Sequence, residues 1–200
     1  KKWFGPTKIK RLFDICASFL ALVVLSPLFL VICIVNLFTP ECSVFFSHER
    51  RGRRGKPFTI YKFQTMKNNT PNCATGELEN PEQYITKFGK FLRKTSLDEL
   101  PQLWNILKGD MSFVGPRPLI SSEMRAHRLR LEYGVYRFRP GLTGWAQING
   151  RDSISLLRKM KLDKEYCDNW SLKLDLIILL RSVGAVVKQE GFHEGTYHRR

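Results

Sequence analysis

Residues 12–38, LFDICASFLALVVLSPLFLVICIVNLF, determine how this chain is built. The run holds 27 residues and one charged side chain, Asp14, near its start. A straight helix of this length would extend about 40 Å, more than the roughly 30 Å hydrocarbon core of a bilayer. The run is too long for the apolar part of a signal peptide, and no small-residue cleavage site follows it. We therefore expect a membrane segment.

A break is expected in the middle of this run, at Ser26 and Pro27. Proline removes a backbone donor, frees the carbonyl of Val23 and kinks the helix. Because lipid supplies no replacement donor, the hydroxyl of Ser26 is expected to bond back to the helix, at the carbonyl of Leu22.

The break leaves two arms, residues 12–25 and 28–38, of roughly 17–21 Å each, too short to span a bilayer alone. Basic residues, which favour the cytoplasmic side, flank the run at both ends. They are Lys1, Lys2, Lys8, Lys10 and Arg11 before it, and Arg50, Arg51, Arg53, Arg54 and Lys56 after it. A re-entrant hairpin satisfies both flanks, and a single spanning helix is the alternative. Residues 1–40 would form the hairpin and residues 41–200 a cytoplasmic part folded with it.

Composition limits the remaining function classes. The 200 residues fit one domain, and the net charge of +15 attracts nucleic acid, anionic lipid or phosphorylated substrates. The basic residues flank the apolar run and do not line one helix face, which disfavours nucleic acid. Five scattered cysteines without a CxxC pair argue against a disulfide framework or a zinc site. The four histidines show no ligand spacing.

The rest of the chain predicts a mixed α/β, helix-rich fold. Residues 44–46 and 58–63 resemble short strands around a basic turn at 50–55. Helices are expected at residues 84–92, 100–107, 122–133, 153–170 and 172–187. The last of these has a mainly apolar side, so it is either a core helix or a helix lying on the membrane surface.

Two acidic residues, Asp98 and Glu99, are expected at the N-terminal end of the 100–107 helix. Amides at a helix end favour ionised carboxylates there, which suits a nucleophile or a Mg²⁺ ligand. The alternative is structural, because Ser96-x-x-Glu99 is also a capping-box pattern.

Two further segments suit anion binding. In Gly115-Pro116-Arg117-Pro118 the prolines stiffen the backbone around a guanidinium, which preorganises it for phosphate. Residues 139–151, RPGLTGWAQINGR, combine three glycines with terminal arginines and an amide pair. A rigid surface turn and a plain connecting loop are the structural alternatives. The sequence has no Walker loop, GxGxxG or HExxH motif.

Read together, these motifs resemble the bacterial monotopic phosphoglycosyl transferases, and in particular the small, minimal members. The resemblance covers residues 8–188 and rests on Ser26-Pro27 and four motifs in order: 61–66 (YKFQTM), 96–102 (SLDELPQ), 108–118 (KGDMSFVGPRP) and 139–151. It implies one mixed α/β unit with a re-entrant hairpin and interfacial amphipathic helices. It also implies residence in the bacterial inner (cytoplasmic) membrane, with the catalytic part facing the cytoplasm.

The resemblance implies a defined reaction, the first membrane step of surface glycan or glycoprotein assembly. The family moves a sugar 1-phosphate from a UDP-sugar to undecaprenyl phosphate, a polyprenyl phosphate, and releases UMP. Its nucleophilic aspartate matches Asp98, which would form a covalent phosphosugar intermediate, and its partner glutamate matches Glu99. Mg²⁺, bound by Asp98, is the implied cofactor. Besides these two substrates and membrane lipid, no nucleic acid is expected as a partner, and a homo-oligomer is left open.

Several residues are expected from the resemblance to bind substrate. They are Lys62, Arg93, Arg117, Arg139, Gln147, Asn149, Arg151 and Asp175. The family often has a basic residue after Lys62-Phe63, where this chain has Gln64. The tail at residues 190–197 is similar to that of small members that take N-acetylated sugars.

A different class of function fits the membrane run and the charge without any chemistry. A non-catalytic, basic membrane-associated adaptor would have no need of Asp98, so Asp98→Asn would leave its function intact.

Overall fold

The computed structural model describes residues 8–71, 80–150 and 154–188, with side chains described to residue 184. The chain begins with α1 (Lys8–Val24) and α2 (Ser26–Leu37), which meet at a bend of 60°. Within the described ranges no single helix has the length and apolar character to cross a bilayer, whereas the bent pair has both when taken together. The break is therefore where the sequence predicts it.

The hydroxyl at the break bonds to a different carbonyl from the one expected. Ser26 Oγ donates to the carbonyl of Val23 at 2.8 Å, so the predicted bond to Leu22 is wrong. The chain bends between α1 and α2, which brings the carbonyl three residues back within reach. This is the carbonyl that Pro27 leaves without a backbone donor.

A β-hairpin follows the helix pair. β1 (Phe45–Arg51) pairs antiparallel with β2 (Pro57–Phe63), from Phe45 opposite Phe63 to Arg51 opposite Pro57. β1 extends into the residues predicted as a turn, because β4 (Leu119–Ile120) pairs with its far end and completes a sheet of order β2-β1-β4. A second sheet has two strands, β3 (Ser112–Val114) and β5 (Gly141–Thr143), which are parallel.

Six more helices complete the described chain, and the helix-rich mixed α/β class is confirmed. They are α3 (Lys87–Lys94), α4 (Gln102–Lys108), α5 (Met124–Glu132), α6 (Trp145–Ile148), α7 (Leu156–Asp168) and α8 (Leu172–Lys188). α3 begins three residues later than predicted because Thr86 caps it, its hydroxyl accepting from Gly89 N at 2.9 Å. Gly109, with φ of 104°, ends α4 after Lys108, one residue beyond the predicted limit at 107.

The first helix packs through its polar face. Lys10, Asp14 and Ser18, each four residues apart, are buried, whereas Leu12 and Phe19 on the same helix are exposed. Asp14 accepts hydrogen bonds from Ser112 Oγ at 3.1 Å and from the backbone of Phe113 at 3.2 Å. The polar stripe therefore faces the protein and the apolar surface faces outward.

The last helix, α8, also exposes apolar side chains, as α1 does. Its core contact is Ile178, which is fully buried, with Leu174 and Leu179 packed beside it. Four apolar residues on another side of the helix are exposed: Leu172, Leu176, Leu180 and Val183. α8 is thus a core helix on one face and carries an exposed apolar stripe on another. A position on the membrane surface stays a prediction.

Candidate functional site

The predicted carboxylates lie on a short turn between α3 and α4. Leu97–Glu99 forms one turn of 3-10 helix, and Ser96 before it has a left-handed backbone with φ of 57°. That conformation ends α3 and redirects the chain, a position usually given to glycine. Ser96 makes no side-chain capping bond, so the capping-box alternative is wrong, and the side chain of Glu99 is engaged elsewhere.

Lys62, near the end of β2, holds the carboxylate pair. Its Nζ donates to Glu99 Oε1 at 2.6 Å and lies 3.9 Å from Asp98 Oδ2. All three side chains are largely buried, and that of Asp98 is 13% exposed. A partly desolvated ion pair of this kind fixes the direction of both carboxylates.

The carboxyl of Asp98 has an unusual acidity. Burial, the largest cause, raises its pKa from 3.8 to about 6, and the charge of Glu99 acts in the same direction. Lys62, then Arg93 and Arg117, act against this by lowering the pKa. Asp98 is therefore ionised at neutral pH while being poorly solvated, which is the condition of an activated nucleophile.

Two arginines approach the pair from other elements. Arg93, in the last turn of α3, donates from Nε to Thr65 Oγ1 at 2.9 Å. Arg117, in the turn between β3 and β4, is exposed, and its Nη1 lies 3.9 Å from Glu99 Oε1. The structure thus gathers Lys62, Arg93 and Arg117, which sequence analysis assigned to substrate binding, around Asp98 and Glu99.

Three polar side chains of the segment that contains β5 and α6 donate hydrogen bonds to backbone carbonyls. Arg139 Nε donates to Gly109 O at 2.8 Å, Gln147 Nε2 to Leu142 O at 3.2 Å and Asn149 Nδ2 to Trp145 O at 2.8 Å. The bonds of Gln147 and Asn149 lie within this segment, and that of Arg139 joins it to the end of α4. Roles of the three side chains in substrate binding stay predictions. Arg151 lies outside the described residues.

Asp175 belongs to a buried network between helices. It accepts from Lys10 Nζ at 2.5 Å, Tyr166 Oη at 2.7 Å and Trp170 Nε1 at 3.2 Å. The carboxylate thereby joins α1 to α7 and α8, a packing role that the sequence did not indicate. A part in substrate binding is not tested by this arrangement.

The sequence of the chain matches a known protein family. A family model described as bacterial sugar transferase matches residues 6–189. The chain belongs to the bacterial sugar transferase family.

Relatives in this family are similar over nearly all of the chain. The sugar transferase EpsL of Bacillus subtilis is 44% identical, over 93% of this chain and 91% of that protein. The exopolysaccharide production protein ExoY of Rhizobium meliloti is 40% identical, over 91% of this chain and 87% of its own length. The undecaprenyl-phosphate galactose phosphotransferase of Salmonella typhimurium is 36% identical, over 92% of this chain and 41% of that longer protein.

Sequence reasoning missed an arginine of this sugar transferase that holds the helix following the turn with Asp98. Arg11 of α1 donates to the carbonyls of Ile106 at 2.6 Å and Leu107 at 2.7 Å, so it caps the C-terminal end of α4. In the sequence Arg11 was one of several flanking charges. Nothing local indicated a partner 95 residues away.

The carboxylate pair also suits a divalent cation. The described residues contain no group of three or more His, Cys, Asp or Glu side chains that could enclose a metal. Mg²⁺ in phosphate-transferring sites is commonly bound by one or two carboxylates together with the substrate's phosphates. Asp98 and Glu99 fit that partial ligand set, and Lys62 already occupies one oxygen of Glu99.

Proposed function

We propose that this protein is a phosphoglycosyl transferase that moves a sugar 1-phosphate from a UDP-sugar to undecaprenyl phosphate and releases UMP. The observation that carries the proposal is the buried, ionisable carboxylate of Asp98, surrounded by Lys62, Arg93 and Arg117. The name of the Salmonella relative, a galactose phosphotransferase acting on undecaprenyl phosphate, supports the same reaction class. Such transfer would begin the assembly of a surface polysaccharide.

The proposed chemistry has two displacements at phosphorus. A carboxylate oxygen of Asp98 attacks the β-phosphorus of the donor, the bond to the bridging oxygen breaks, and UMP leaves with that oxygen. An oxygen of undecaprenyl phosphate then attacks the acyl-phosphate, which frees Asp98 and leaves a lipid diphosphate sugar. The bond between the sugar and its phosphate oxygen is never broken, so the anomeric configuration is retained.

The surrounding cations would stabilise charge that develops during both displacements. Lys62 lies within reach of both carboxylates, and Arg93 and Arg117 add positive charge beside Asp98. Glu99 would orient Lys62 through their 2.6 Å bond. Mg²⁺, held by Asp98 and Glu99 with the donor's diphosphate, would supply further charge neutralisation when bound.

The proposed location is the bacterial inner membrane, with the site on the cytoplasmic side. The bent α1–α2 pair, its outward apolar surface and the basic residues at both ends support a re-entrant hairpin. A substrate with a polyprenyl tail would then meet the site at the membrane surface.

The proposal is tested by UMP release from a panel of UDP-sugars, with Mg²⁺ and undecaprenyl phosphate. We expect release by the wild type and its loss in Asp98→Asn. The matched control is Asp168→Asn. Asp168 lies on α7, its carboxylate is exposed and pairs with Arg137, and this variant should remain active.

Each outcome of this test is informative. Release that persists in Asp98→Asn would contradict the covalent mechanism, and no release from any donor by folded protein would favour the membrane adaptor. The panel includes UDP-galactose, UDP-glucose and UDP-N-acetylated sugars. The tail at 190–197 that suggested N-acetylated sugars lies outside the described residues, so that preference stays a prediction.

A further inference from the structure

One arginine beside the site has no described partner for its charge. Arg50 lies in β1, opposite Phe58 of β2 on one side and Ile120 of β4 on the other. Directly paired residues of an antiparallel ladder share a face, and so do residues two apart along a strand. Arg50 therefore lies on the sheet face that carries Phe58 and Lys62.

That face is the one turned toward the carboxylates. Phe58 packs against the buried cluster that contains Leu103 and Ile106 of α4, and Lys62 donates to Glu99. The pairing with β4 also brings Arg50 close to Arg117, since β4 begins two residues after Arg117. Lys62, Arg117 and Arg50 thus border the same space from three chain segments.

The side chain of Arg50 is partly buried, and no carboxylate of the described residues pairs with its charge. Its Nε is buried and has no hydrogen-bond partner, and no ion pair within 4.0 Å involves Arg50 among the described residues. Burial, the largest cause, and the charge of Arg117 lower the pKa of Arg50 from 12.5 to about 10, while Glu123 and Glu99 act in the opposite direction. Glu123 is itself exposed and accepts from the backbone of Ile120 at 2.7 Å.

Two neighbouring guanidinium groups, one of them desolvated, are unfavourable without an anion between them. Guanidinium pairs are well suited to phosphate, because each offers several donors in a planar arrangement. We propose that Arg50 is a further substrate-binding residue, which together with Arg117 binds a phosphate group at the carboxylate site. This inference rests on the proposed function and deepens it.

The phosphate has two sources in the proposed reaction, the diphosphate of the donor and the phosphate of the polyprenyl acceptor. The chemistry that Arg50 recognises is the same in both, so the experiment must separate them. In a two-step reaction the donor step alone produces a burst of UMP when the acceptor is omitted.

The first measurement is thermal unfolding of the full chain in detergent, for wild type, Arg50→Met and Arg51→Met. Arg51 follows Arg50 on the opposite face of β1 and is the matched control. In the absence of ligand, we expect Arg50→Met to unfold at a temperature equal to or higher than that of wild type, because an uncompensated charge has been removed. We expect the upward shift in melting temperature produced by UDP, or by inorganic phosphate, to shrink in Arg50→Met and to persist in Arg51→Met. A lower melting temperature with an unchanged ligand shift would overturn the inference.

The second measurement is kinetic. Loss of a charge-assisted bond to phosphate should lower kcat/KM about tenfold or more in Arg50→Met, with partial recovery in Arg50→Lys. If the donor diphosphate is the ligand, the UMP burst slows; if the acceptor phosphate is the ligand, the burst is retained and the KM for undecaprenyl phosphate rises. Unchanged kinetic constants for both substrates would contradict the inference. A wild type that releases no UMP would instead contradict the proposed function, while the melting shifts would still test Arg50.

Discussion

At the scale of single residues, the chemistry that we propose for the site depends on the burial of Asp98. Burial raises the pKa of its carboxyl to about 6. Three cations, Lys62, Arg93 and Arg117, lower this pKa and so oppose the effect of burial. Either influence alone would be worse for catalysis, because burial without cations would leave the acid protonated at neutral pH. Cations without burial would leave a well-solvated, weakly nucleophilic carboxylate.

The pH dependence of turnover should report this balance. We expect the kcat/KM for UMP release to fall below pH of about 6, with one proton taken up, since protonated Asp98 cannot attack. Lys62 is the strongest influence lowering the pKa, so Lys62→Met should move this acid limb to higher pH. Lys67→Met, at a lysine paired with Glu41, should leave it in place. An acid limb near pH 4 in wild type would show that Asp98 is solvated during catalysis.

The same carboxylate should reduce stability. The folded-state pKa of about 6 exceeds the ordinary 3.8, so the folded state binds the proton more tightly and stability falls as pH rises through this range. Asp98→Asn should therefore raise the free energy of unfolding at pH 8, by at most about 3 kcal/mol. Thermal or denaturant unfolding at pH 8 and pH 4 checks this, because the gain should vanish at the lower pH. A loss of stability at pH 8 would show that the ion pairs outweigh desolvation.

At the scale of elements, α4 connects the bent α1–α2 pair to the turn that carries Asp98. The turn with Asp98 precedes its N-terminal end, and Arg11 and Arg139 bind carbonyls at its C-terminal end. Carbonyls at a helix end have no partner within the helix, and positive charge there is favourable. The position of α1 therefore helps to set the position of Asp98.

Removing the cap from α1 should loosen this connection. Arg11→Gln should lower the free energy of unfolding by about 1–3 kcal/mol, because two carbonyls lose a charged donor. It should also lower kcat for UMP release, since the turn moves with α4. Lys8→Gln, at an exposed residue of α1, removes the same charge from the same flank and is the control. If the two substitutions changed stability and kcat equally, only the shared flanking charge would matter, and the capping of α4 by Arg11 would have no effect.

At the scale of the whole molecule, the exposed surface carries more apolar side chains than water favours. Most of them lie on α1, α2 and α8, and these include Phe19, Leu30, Leu176 and Leu180. Extended apolar surface of this kind normally contacts a membrane or a partner. The protein buries polar residues of α1 and exposes apolar ones, as expected where the surroundings are lipid.

Vesicle binding should depend on this surface. Leu180→Ser on α8 should weaken partition onto vesicles that contain anionic lipid, measured by flotation, because an apolar side chain is lost from the contact. Leu131→Ser on α5 is the control, since Leu131 and Leu180 are both 67% exposed. Leu131 follows a basic segment, residues 125–130, so it also lies beside positive charge that anionic lipid would attract. Equal weakening by both substitutions would indicate that α8 has no special part in membrane contact.

Sequence alone determined the features that depend on neighbours along the chain. The helix break at Ser26-Pro27, the β-hairpin and the end of α4 at Gly109 all follow from local sterics and periodicity. The motif with Asp98 and Glu99 was recognisable because its residue types and order identify the family. Helix limits shifted by a few residues where a cap such as Thr86 outweighed the apolar pattern.

Only the tertiary structure decided which distant groups meet. Lys62 with Glu99, Arg11 with the carbonyl of Ile106, and Lys10 with Asp175 join residues 37, 95 and 165 positions apart. It also decided which face of α8 is buried, because apolar periodicity does not distinguish a core from a lipid-facing surface. Such contacts form only when several elements pack at once. A single sequence carries no local signal for that packing, and so the environment of Asp98 could not be read from the residues beside it.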